Sequence, residues 1–95
     1  MVMHMETIPV LLKIDREHVV HGLQQAREKL DRAEREVVLD FSSVRRIDAG
    51  ALTLMEELAG LAEEKGIKLA LRGINVRVYK VLTLVNLAPR FSFLT

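Results

Sequence analysis

Three short apolar runs, at residues 8–14 (IPVLLKI), 37–41 (VVLDF) and 67–71 (IKLAL), alternate with stretches whose apolar residues recur every three or four positions. Strand-like runs separated by helix-length amphipathic segments point to βαβ units, in which each helix crosses from one strand to the next. Pro9 and Pro89 stand near the ends, and no repeat or Gly/Ser/Pro-rich linker interrupts the alternation, so residues 1–95 read as one domain. The expected architecture is a layered α/β fold with a mixed or parallel sheet of about four strands and three main helices.

The proline in the second position of the first run marks an edge strand that begins just after it, with Asp15 as cap of the next element. From 16 to 34, Val19, Val20, Leu23, Ala26, Leu30 and Ala33 form one apolar stripe on an otherwise charged helix. Residues 37–41 are β-branched and aromatic enough for a central strand covered on both faces. A second helix opens at Asp48, buries Leu52, Met55, Leu58, Ala59 and Ala62, turns Glu56, Glu57, Glu63 and Glu64 outward, and stops at Gly66. After the 67–71 strand, Gly73-Ile74-Asn75 makes a turn, with Asn75 as N-cap of a third helix over 76–88. That helix has only Arg77, Lys80, Thr83 and Asn86 as polar residues. Its apolar surface exceeds what one sheet face covers, so it is expected to wedge between the sheet and residues 91–94, a possible last strand. The alternative turns part of it toward a partner or a second copy of the chain.

Chemistry-bearing patterns are sparse. The absence of cysteine excludes disulfides, thiolate metal sites and thiol nucleophiles, and neither a P-loop nor G-x-G-x-x-G is present. His18 and His21 have a feasible metal spacing, yet only Glu17 offers a third ligand, and His4 stands near the chain start; all three read as solvated. Ser42-Ser43 lacks the glycines of a nucleophile elbow. Asp40 and Asp48 flank the exit of the central strand, where a metal or phosphoryl-accepting pair is conceivable, but turn and capping roles suit them better. No catalytic residue, metal or cofactor is therefore expected. Net charge is +1, although residues 66–95 carry five basic and no acidic side chains. Five cations without interleaved aromatics make a poor nucleic-acid surface. The sequence contains no run of 18 apolar residues and no secretory-type start, so membrane insertion is not expected and a cytoplasmic location is.

The sharpest local feature is Arg45-Arg46-Ile47-Asp48-Ala49-Gly50-Ala51-Leu52-Thr53. Asp48 has the short acceptor of an N-cap, and Ala49, Gly50 and Ala51 leave the first-turn amides uncovered. A small anion, drawn by amides and arginines, or a partner protein's backbone can approach closely there; tight helix-on-sheet packing would also explain the small residues.

This arrangement resembles the STAS family, the fold of anti-sigma-factor antagonists and of cytoplasmic domains of sulfate-type anion transporters. The resemblance rests on the apolar strand Val37-Val38-Leu39-Asp40-Phe41, the ungapped stretch 47–55 around Asp48-Ala49-Gly50-Ala51-Leu52, the passage 64–69 and the apolar helix 81–87. It covers roughly residues 10–95. It implies a non-enzymatic, protein-binding regulatory module whose partner-binding residues are Arg45, Arg46, Asp48, Ala49, Gly50, Ala51, Leu52, Thr53 and Asn75. The role it implies first is that of an anti-sigma-factor antagonist, with a kinase-like anti-sigma factor as partner; the alternative is a small subunit that binds the ATPase of a bacterial lipid transport complex. In family antagonists a hydroxyl at this turn is phosphorylated and the added charge releases the partner. Here those positions are Ala49 and Gly50, which leaves Thr53 as a weak substitute and Ser42 and Ser43 as further hydroxyls. The family usually begins with two strands, whereas one fits before Asp15. The exposed edge, or the third helix, is then a candidate homodimer surface.

Overall fold

The computed structural model describes residues 9–94. Its elements are β1 (Val10–Lys13), α1 (Val19–Arg32), β2 (Glu36–Asp40), α2 (Ala49–Lys65), β3 (Lys68–Arg72), α3 (Val76–Leu84), a 3-10 turn (Ala88–Arg90) and β4 (Ser92–Leu94). His4 and Ile8, the latter the first residue of the first apolar run, lie outside the described residues.

The strands lie in chain order, β1-β2-β3-β4, and every neighbouring pair is parallel. Of the mixed and parallel arrangements the sequence allowed, the parallel one forms, because each link between neighbours contains a helix and none is a hairpin. Side chains alternate across the sheet. Val37, Leu39, Leu69 and Leu71 join Leu23, Ala26 and Leu30 of α1, Met55, Leu58 and Ala59 of α2, and Val78 and Leu82 of α3 in one buried cluster. Val38 and Ala70 are buried outside that cluster, while Leu11, on the edge strand, is 57% exposed. Each fully buried leucine or valine here removes side-chain surface worth about 1.5–3 kcal/mol from water.

Two helices stop by the same device. Gly66 has φ 69°, its N–H donates to Glu63 O, and Ile67 N–H reaches back to Ala62 O at 2.9 Å. Asn86 has φ 61°, its N–H donates to Thr83 O, and Leu87 N–H reaches Leu82 O at 2.8 Å. This corrects the third helix: it ends at Leu84, and Asn86 terminates it instead of continuing its polar stripe. The first helix likewise begins at Val19, with His18 in the N-cap position. Asp15 sits in a preceding turn, where its carboxylate accepts from Glu17 N–H at 2.9 Å.

Candidate functional site

The carboxyl ends of β1, β2 and β3 emerge at one end of the sheet, and the connections β2–α2 and β3–α3 meet there. The first is fixed from below: Phe41 and Val44 are buried, Phe41 N–H donates to Arg72 O at 2.8 Å, and Val44 N–H donates to Phe41 O at 2.9 Å. It is fixed from the side by Asn75. The Asn75 Nδ2 group donates to Val44 O and Arg45 O, both at 3.1 Å, while Oδ1 accepts from Val78 N–H at 2.8 Å. One side chain therefore caps α3 and latches the loop that delivers Arg45 and Arg46.

Asp48 caps α2 as its sequence context suggests, with Oδ1 accepting from Ala51 N–H at 2.8 Å. Ala49 and Gly50 are exposed at the first turn, and Leu52 is half-buried. Ala51 is buried at 1% exposure, so it presents no side chain to a partner and contributes its amide to the cap instead. A Cβ on Gly50 would meet Asp48 Oδ1 at 3.5 Å and Val20 Cγ2 at 3.8 Å, which is ordinary contact. Intramolecular packing thus does not require glycine at position 50. The exposed Thr53 hydroxyl donates to Ala49 O at 3.1 Å. Ser42 is exposed and Ser43 half-buried.

The arginine pair divides between two clefts. Arg45 and Asn75 line a cleft of about 640 Å³ with Lys13, Arg16, Ser42 and Ser43. Arg46 and Asp48 line one of about 470 Å³ with His18, Val20 and His21 of the α1 start. Lys13 and Arg16 belong to no motif in the sequence. Their only signal there is position, at and just after the carboxyl end of the first strand, where parallel folds gather their loops.

Local hydrogen bonds set the electrostatics. The Ser42 N–H, donating at 2.9 Å, holds the Asp40 carboxyl below its ordinary range, with Arg72 and Lys13 assisting. The Glu17 N–H does the same for Asp15, aided by His18, whose Nδ1 lies 3.3 Å from Asp15 Oδ2. Asp40 is engaged in its own turn and Asp48 in its cap. Among the described residues no group of three or more His, Asp or Glu side chains converges as a metal site, and no helix is long and apolar enough to cross a membrane.

A family model described as "Mlab, STAS domain" matches residues 13–94. The intermembrane phospholipid transport system binding protein MlaB of Escherichia coli is 41% identical over 49 residues, 52% of this chain and 50% of that protein; the MlaB of Shigella flexneri matches equally. The aligned stretch thus spans about half the length of these curated relatives. Among solved structures, the fold is similar to the crystal structure of a candidate anti-sigma factor antagonist from Thermotoga maritima, with TM-score 0.73, 21% identity, and 93% of this chain and 81% of that one covered. An NMR structure of protein TM1081 gives TM-score 0.75 at 20% identity over 99% of this chain and 86% of that one. At such identities the solved structures speak for the fold alone.

Proposed function

This chain belongs to the MlaB-type STAS domain family, whose members are non-catalytic, and on that premise we propose that it is a binding subunit that docks the ATPase of a bacterial lipid transport complex through the start of α2. The observation that carries the reading is the exposed, featureless first turn. Ala49 and Gly50 present only backbone and a single methyl, and the space around Gly50 shows that folding does not demand this smoothness. A partner's backbone can approach such a turn within van der Waals contact, with Arg45, Arg46 and the Asn75 loop framing it. Lack of a hydroxyl at positions 49 and 50 suits a permanent subunit better than a phosphorylation-released antagonist. The identity with MlaB supports the same choice, since that protein is a component of a phospholipid transport system.

The test is co-purification from native extract with tagged wild type beside Gly50→Glu, both checked for equal thermal unfolding. Recovery of a transport ATPase with wild type, lost with Gly50→Glu, is the expected result. Recovery of a kinase-like anti-sigma factor instead would replace the partner but keep the docking site. Equal recovery by both proteins would remove the site.

A further inference from the structure

The strand order places the sequence's charge asymmetry along one edge of the molecule. Residues 66–95 contain no Asp or Glu, and they build β3, α3 and β4 at the end of the sheet. Of their cations, Lys68 is 3.8 Å from Glu36, Arg90 is bonded to Glu63, and Arg72 lies in register beside Asp40. Arg77 and Lys80, both exposed on α3, have no carboxylate within ion-pair distance among the described residues.

Apolar surface is left open on the same edge. Val76 is 70% exposed, Tyr79 45% and Leu94 37%. Together with Phe93 and Ile74 they line a depression of about 490 Å³ between α3 and β4, in which the Tyr79 ring stands edge-on to Phe93 with centroids 5.2 Å apart. Beside it, among the described residues, β4 pairs only with β3 and its backbone groups make no hydrogen bonds on the other side.

We propose that the β4 edge and the α3–β4 depression form a second docking surface, one that takes an extended partner segment carrying apolar and carboxylate side chains. The unpaired strand edge selects an extended backbone, because only a strand matches its line of donors and acceptors. The depression beside Tyr79 and Phe93 takes apolar side chains of that segment. Arg77 and Lys80 select carboxylates. A second copy of this chain is disfavoured, since a two-fold contact would set the same unneutralised cations against each other. The surface shares the Gly73-Ile74-Asn75 loop with the frame of the α2 turn but not the turn itself, so a change at Gly50 tests the proposed ATPase docking separately.

The experiment is a ¹⁵N-HSQC titration of the full chain with a capped eight-residue peptide of alternating valine and glutamate, beside its valine–lysine counterpart. Saturable shifts are expected at the amides of Ser92, Phe93, Leu94, Val76 and Tyr79. Binding should be at least tenfold weaker for the lysine peptide and for the Arg77→Glu, Lys80→Glu double variant, whose spectrum reports its own folding. Gly50→Glu should bind the peptide as wild type does. Any of three results overturns the proposal: no saturable shift at β4, β4 shifts that follow protein dilution without peptide, or response to phosphatidylglycerol vesicles with none to the peptide.

Discussion

A Cβ placed on Gly73 would stand 2.8 Å from both the Cα and the Cβ of Ser42, so the β2–α2 and β3–α3 loops touch through a position that admits no side chain. Gly73 also has φ 74°, in the left-handed region. Gly66 shares that conformation at φ 69° but has open space around it. Gly73→Ala should therefore cost more than Gly66→Ala: backbone strain of about 1–2 kcal/mol applies to both, and displacement of the Ser42 backbone adds about 1–3 kcal/mol to the first. Urea unfolding of the two variants checks the order. Equal losses would mean that the loops separate at no cost.

Asn75 gives a finer probe of the same junction. Asn75→Ala removes the α3 cap and both bonds to the β2–α2 loop, and should cost about 1–3 kcal/mol. Asn75→Asp keeps an acceptor for Val78 N–H yet cannot donate to Val44 O and Arg45 O. It should retain α3 and loosen the loop, read as faster amide exchange around Arg45 and Arg46 with little change in helix content.

What the sequence revealed of this junction was local chemistry. Asp48 and Asn75 are legible as caps and Gly66 as a stop, because a side chain and an amide three residues on, or one left-handed residue, suffice to make them. The end of α3 was not legible: Asn86 follows Thr83 by three residues, so it extends a polar stripe, and only its positive φ shows that it ends the helix. The parallel pairing of β4 depended on three residues, too few to carry a pattern. The clefts beside Arg45 and Arg46 include Lys13 and Arg16, brought there by pairing of β1 with β2, a contact between residues more than twenty positions apart.

Acid should weaken the fold in a predictable window. Asp40 titrates below its ordinary value of 3.8, chiefly because Ser42 N–H bonds its charged form. A group depressed in the folded state contributes stability that is complete above the unfolded value and is lost as pH falls through the folded one. Asp40→Asn should therefore flatten the loss of stability below about pH 4 without altering its trend between pH 6 and 8. Glu63, depressed by hydrogen bonds from Arg90 at 2.9 and 3.0 Å, should act in the same direction. Thermal melts at pH 2.5–7 of wild type, Asp40→Asn and Glu63→Gln make the comparison, and parallel curves for all three would contradict it.

Gly50 should separate folding from docking. Its added Cβ meets nothing closer than 3.5 Å, and helical alanine is favoured over glycine by up to about 1 kcal/mol. Gly50→Ala should thus unfold at an equal or higher temperature than wild type, while weakening partner capture through the methyl alone. A lower melting temperature would show that the glycine serves the fold.

Ala49 permits the opposite dissection, with charge in place of bulk. It is the first residue of α2 and exposed, so a glutamate there faces the positive end of the helix, which favours it by about 0.3–1 kcal/mol. Fold stability should hold or rise in Ala49→Glu. Docking should fall, because a partner closing over this turn would have to desolvate a carboxylate as well as accommodate its bulk. Ala49→Gln has similar length without the charge and should dock better than Ala49→Glu. If the two variants captured the partner equally, steric bulk alone would govern the turn.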